Sequence, residues 1–252
     1  MPRSRLLLAG VAVLIVGAIG LYVAYDQVLR GDSVAPLSLP SAAPSAAAGA
    51  PSAGPAATAA TSADPATGSG GDIAGTWTVS TGSVAGYRVR ERLASLSAES
   101  DAVGRTSDVT GSIAIEGDGT AATLTGGTLN VDTTTIASDE SRRDNRLRTE
   151  GLQSESFPTA TFAITAPVEI PAAALTGTAS DVTLTGDLTL HGVTRSVSIP
   201  AQAQLVDGTV QVAGSITFPL ADFQIVAPNV GGFIISIADE GTLEFQVNFA
   251  KG

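Results

Sequence analysis

The chain has 252 residues, many glycines, few charged or aromatic side chains and a net charge of −11. That charge argues against a nucleic-acid partner, because phosphate binding relies on Lys and Arg. The absence of cysteine excludes disulfides, thiol chemistry, Cys-held metals and a lipoprotein anchor.

The first segment, residues 1–35, begins with Arg3 and Arg5 and continues as an uncharged run from Leu6 to Tyr25. At about 1.5 Å of rise per residue, such a run spans a hydrocarbon core of about 30 Å. The positive-inside rule puts the short N-terminal stub in the cytoplasm and the rest of the chain outside. The reading is a single-pass signal-anchor in the cell membrane. The alternative is a cleaved secretory signal, for which Ser33-Val34-Ala35 is the better site, with Pro36 directly after it. Residues 36–71 are almost wholly Ala, Pro, Ser, Gly and Thr. They lack the apolar bulk for a core and predict a disordered linker with a reach of about 30–36 Å.

Residues 72–252 form the folded domain. The charges that precede it, Arg3, Arg5 and Arg30 against Asp26, Asp32 and Asp64, cancel, so the domain carries the whole net charge. Its apolar residues alternate with polar ones. Val182, Leu184, Leu188 and Leu190 share one parity; so do Val210, Val212, Ile216 and Phe218, and so do Leu243, Phe245, Val247 and Phe249. Val109, Ile113 and Ile115, then Ala160, Phe162 and Ile164, repeat the pattern. Period two means half-buried strands. The phase changes at Gly126-Gly127, which reads as a bulge.

About eight such strands with short turns predict an all-β domain, a sandwich or an up-and-down barrel. Gly111, Gly186 and Gly214 fall on the apolar parity. A glycine inside a strand marks a bend or room for something else. In a barrel of about eight strands, which is wide enough for one ligand, that room implies an apolar guest. Bends at barrel corners, with no ligand, are the alternative.

One segment interrupts the strands. Ser138 suits an N-cap, with Asp139 and Glu140 in a first helical turn. Arg142, Arg143, Arg146 and Arg148 follow, with an expected Asp144–Arg148 pair at i,i+4. Gly151 suits the left-handed position after the helix. The arginines are either a solvated face or, for one or two of them, contacts to an anionic head group at the barrel mouth. No catalytic constellation emerges. His191 is the only histidine, no G-x-S-x-G elbow exists, and one His without Cys builds none of the usual zinc sites. No catalytic residue, metal ligand or cofactor site is therefore expected.

"TTTIASDESRRDNRLRTEGLQSESFPTATF" followed by "LTGDLTLHGVTRSVSIP" resembles the YceI-like family of lipocalin-like, lipid-binding proteins. The matching features are Arg143-Asp144 before Leu147-Arg148, Phe157-Pro158 before Thr161-Phe162, the run from Gly186 to Thr194, and "ADFQI" at Ala221–Ile225. The resemblance implies an extended up-and-down, eight-stranded antiparallel lipocalin-like barrel with one short helix. It also implies a long apolar channel for a polyisoprenoid or fatty amphiphile, in an exported protein with no established catalytic activity. Combined with parity, it nominates Val109, Ile113, Phe162, Ile164, Val182, Leu184, Gly186, Leu188, Leu190, Val212, Gly214, Ile216, Phe218 and Phe245 as ligand lining.

Arg143 is nominated for a head-group contact. Glu91 stands where many members carry His, on the inward parity of Tyr87 and Val89, and is the second candidate. The functional expectation is carriage, storage or sequestration of a long-chain lipid. The alternative is a cell-envelope stress or interaction module with a closed, ligand-free barrel. The sequence leaves the oligomeric state open, a homodimer included.

Overall fold

The computed structural model describes residues 34–39, 73–93, 99–227 and 234–252. The predicted membrane span and nearly all of the linker lie outside the described residues. Among the described residues, no helix is long and apolar enough to cross a membrane.

Every pairing between the strands is antiparallel. The strands are β1 (Gly75–Val79), β2 (Val84–Leu93), β3 (Glu99–Thr106), β4 (Val109–Gly117), β5 (Ala122–Asp132), β6 (Thr159–Ile164), β7 (Val168–Ile170), β8 (Ser180–Leu190), β9 (Val193–Val206), β10 (Thr209–Pro219) and β11 (Ile234–Lys251). Pairing runs β1-β4-β5-β6-β8-β9-β10-β11, and β11 pairs back onto β1, so eight antiparallel strands close a barrel. The β2–β3 hairpin prolongs β1 and β4 beyond that ring, and β7 prolongs β6 along β5.

Turn chemistry fixes the hairpins. His191-Gly192 between β8 and β9, and Asp207-Gly208 between β9 and β10, both have positive φ at two consecutive residues. This is the primed turn that matches the strand twist. Around the Gly126-Gly127 pair, Ala114 pairs with Gly126 but Ile115 with Leu124, which places the expected bulge at Thr125.

The helical insert between β5 and β6 opens with a 3-10 turn (Thr133–Thr135); its helix α1 (Ser141–Arg146) continues to Gly151 in a widened turn, in which Leu152 N–H donates to Leu147 C=O at 2.7 Å. Such i→i+5 turns are rare and often lie at functional sites. Its caps differ from the sequence expectation. Glu140 is the N-cap and accepts from Arg142 N–H. Ser138 donates its N–H and hydroxyl to Asp144, at 3.0 and 2.6 Å, so Asp144 does not pair with Arg148. Arg148 donates to Asn145 instead. The left-handed residue is Gln153, not Gly151, because the wide turn extends the helical path. Buried Thr133 and Ser154 tie the insert down: Thr133 Oγ1 donates to Phe157 C=O and Ser154 Oγ to Thr133 C=O. A second, short helix, α2 (Ala172–Leu175), follows β7.

Val34–Leu39 lies along the outer wall. Arg88 and Arg105 donate to the carbonyls of Val34 and Ala35, Leu37 N–H donates to Glu244 Oε2 at 3.4 Å, and Leu39 is buried. This stretch holds the last residues of the predicted anchor and the first of the predicted linker.

Candidate ligand cavity

The inward positions of the strands divide between two cavities. The larger has a volume of about 820 Å³ and occupies the end of the barrel beside α1. The smaller, about 40 Å³, lies toward the other end. Of the expected lining residues, Val109, Phe162, Leu188, Leu190, Ile216, Phe218 and Phe245 line the large cavity, together with Arg143 and Glu91. Ile113, Val182, Leu184 and Val212 line the small one.

Ile164, Gly186 and Gly214 line neither, which corrects the reading of those glycines as ligand wall. A Cβ on Gly186 would lie 2.3 Å from Ala163 O and 2.7 Å from the Phe162 ring. A Cβ on Gly214 would lie 2.8 Å from Pro200 O and 2.9 Å from the Phe245 ring. Both sites admit an aromatic ring from the adjacent strand. A Cβ on Gly111 (φ +136) would lie 2.0 Å from Thr128 O. Parity finds the inward face but not what fills each inward gap.

Most of the charged side chains gather at one end. Asp139, Glu140, Arg142, Arg143 and Arg146 of the insert and Glu91 of β2 contribute to the wall there. The cavity reaches the surface at this rim, where Glu140 and Arg142 are exposed. Below the rim the walls are mainly Val, Leu, Ile, Phe and Ala from the strands, with Tyr87, Thr161, Thr242 and Glu244 among them.

At the rim Glu91, 3% exposed, accepts from Arg143 Nη2 at 2.9 Å. Asp139 caps Arg143 Nη1. Burial works against the Arg143 charge, but Glu91 and Asp139 outweigh it and the guanidinium pKa is raised. Arg143 is therefore committed to two acids of its own chain. Sequence parity pointed Glu91 inward; its partner, 52 positions away, was invisible without the fold. Tyr87 packs its ring over Gly104, where a Cβ would lie 2.3 Å from it. Its hydroxyl is buried without a partner, and burial pushes its pKa up to about 12.

The remaining candidates are structural. His191, expected at the surface, is half-buried. Its Nδ1–H donates to Phe223 C=O at 3.0 Å, and its ring meets Phe157 edge-on with centroids 4.6 Å apart. Trp77 is buried and its Nε1–H donates to Ile73 C=O at 2.9 Å. Among the described residues, no group of three His, Asp or Glu side chains is placed to hold a metal ion.

The described residues thus form a closed eight-stranded antiparallel β-barrel with a large, mainly apolar cavity open at a charged rim. The family model for the YceI-like domain matches residues 77–249, and the chain belongs to that family. The polyisoprenoid-binding domain from Saccharophagus degradans implicated in plant cell wall breakdown shares its fold, with a TM-score of 0.54, 17% identity, and coverage of 71% of this chain and 99% of that one. Burkholderia cenocepacia BcnA matches with a TM-score of 0.47 and 14% identity over 65% of this chain and 95% of its own. The Campylobacter jejuni YCEI protein matches with 0.45 and 16% over 59% and 85%. No curated protein matches the chain.

Proposed function

We propose that this protein binds one long-chain apolar lipid, a polyisoprenoid or a similar amphiphile, with the tail in the large cavity and the head at the charged rim. It does so as a carrier, store or sequestering protein rather than as an enzyme. The supporting observation is a mainly apolar cavity of about 820 Å³, most of whose charged groups gather at one end. Tail burial is favourable by about 0.8 kcal/mol per CH₂, so affinity needs no precise polar contact. The described fold of the Saccharophagus degradans domain, which is polyisoprenoid-binding, supports the same class of ligand.

We further propose that the Leu6–Tyr25 run anchors the chain in the cell membrane with the barrel on the extracytoplasmic side. The test is to purify the protein, extract it with organic solvent and identify co-purified lipid by mass spectrometry. A stoichiometric isoprenoid or fatty amphiphile is expected. A lipid-free protein that also fails to take up added isoprenols would leave the interaction-module reading in its place.

A further inference from the structure

On four strands the lining passes from the large cavity to the small one, while on β11 both Phe245 and Val247 line the large cavity. On β4, Val109 lines the large cavity and Ile113 the small one, with Gly111 between. On β8 the order is Leu188, Gly186, Leu184; on β10 it is Ile216, Gly214, Val212; on β9 it is Ile199, Ala201, Ala203. The residue between the cavities is Gly or Ala on each of these four strands. Phe162 lies over Gly186 and Phe245 over Gly214, and both rings belong to the wall of the large cavity. The small residues leave room here, and the two rings occupy it. Beyond the rings only about 40 Å³ is free.

We infer that Phe162 and Phe245 form a floor that limits the length of tail this barrel encloses. This rests on the lipid-binding reading above and adds a limit to it. At about 30 Å³ per group, the share of a water molecule in its liquid and roughly that of a methylene, about 820 Å³ holds on the order of 25 carbons. The fitting ligand is an isoprenoid of about five units. A longer tail keeps its excess outside the rim.

The experiment uses the full chain in nanodiscs and isoprenols of four to nine units carrying a diazirine at the tail tip. In the wild type the five-unit probe labels residues beside the floor, such as Phe162, Leu188 or Phe245. Competition by unlabelled isoprenols rises steeply up to five units, by on the order of 10² or more per unit that finds room, and then stays within about threefold. In Phe162→Ala and Phe245→Leu the tip label moves to Val182, Leu184 or Val212. The Leu variant keeps most of the apolar volume, so a misfolded Ala variant does not leave the idea untested. Wild-type labelling of Val182, Leu184 or Val212 by any probe, or affinity that keeps climbing to nine units, overturns the floor. Failure of every probe to label the barrel interior defeats lipid binding itself, a separate result.

Discussion

At the residue scale, the rim rests on one buried ion pair. Glu91 and Arg143 meet at 2.9 Å; removing Arg143 strands the buried Glu91, whereas removing Glu91 leaves Arg143 with Asp139 alone. Breaking a buried pair costs more than the pair is worth, because the remaining group loses both water and partner. Glu91→Ala and Arg143→Ala are each expected to lower unfolding stability by about 1–3 kcal/mol, and the double variant by clearly less than their sum. Urea titration of the four proteins measures this, and additive losses would show that the pair is not coupled.

Tyr87 gives a pH prediction at the same rim. Its pKa of about 12 in the fold exceeds the ordinary value of 10.0. Below pH 10 both states keep the proton, so this group adds no pH dependence. Between pH 10 and about 12 the unfolded chain loses the proton first, and stability falls by up to about 1.4 kcal/mol per pH unit. Tyr87→Phe should lack that component, so the difference between the two proteins' urea midpoints at pH 9.5 and 11.5 isolates it. Equal slopes would mean the phenol ionises freely in the fold.

At the element scale, the strands were legible and their contacts were not. Alternation marked the inward residues of β4, β6, β8, β10 and β11 because a half-buried strand repeats with period two. The caps of α1 were misplaced because Asp144 reaches back to Ser138, a tertiary choice among several acids that all suit a first turn. Parity alone could not say whether a glycine makes space or admits a neighbour, because that depends on the adjacent strand. Gly186→Ala decides between these at one position. With carbonyl oxygen Ala163 O only 2.3 Å from the new Cβ, the backbone must move. A stability loss of about 1–3 kcal/mol is expected, in the range of overpacked cores. A thermal midpoint unchanged from wild type would show that the wall gives way without cost.

At the scale of the whole molecule, the outer strap changes what the linker does. Composition made 36–71 a spacer, yet Leu37 and Leu39 are its only large apolar residues, and they lie in the part seated on the barrel. That was a signal in the sequence, outweighed by the Ala/Pro/Ser background. Residues 26–33 alone separate the proposed anchor from Val34, and eight extended residues reach at most about 28 Å. While the strap is seated, the barrel stays within that distance of the bilayer, whatever the length of 40–72.

The strap is held by Arg105, whose Nη2 lies 2.8 Å from Glu244 Oε1, by Arg88, and by the burial of Leu39. Leu39→Asp puts a charge into that buried site and releases the strap without touching the barrel's own ion pairs; Arg88→Ala with Arg105→Ala removes the donors. The chain has no cysteine, so a single Glu169→Cys on the exposed face of β7 carries a donor dye. Energy transfer to an acceptor lipid in nanodiscs should fall in both variants as 40–72 adds to the tether, with circular dichroism unchanged. If transfer keeps its wild-type efficiency in both, the strap does not set the height of the barrel above the membrane.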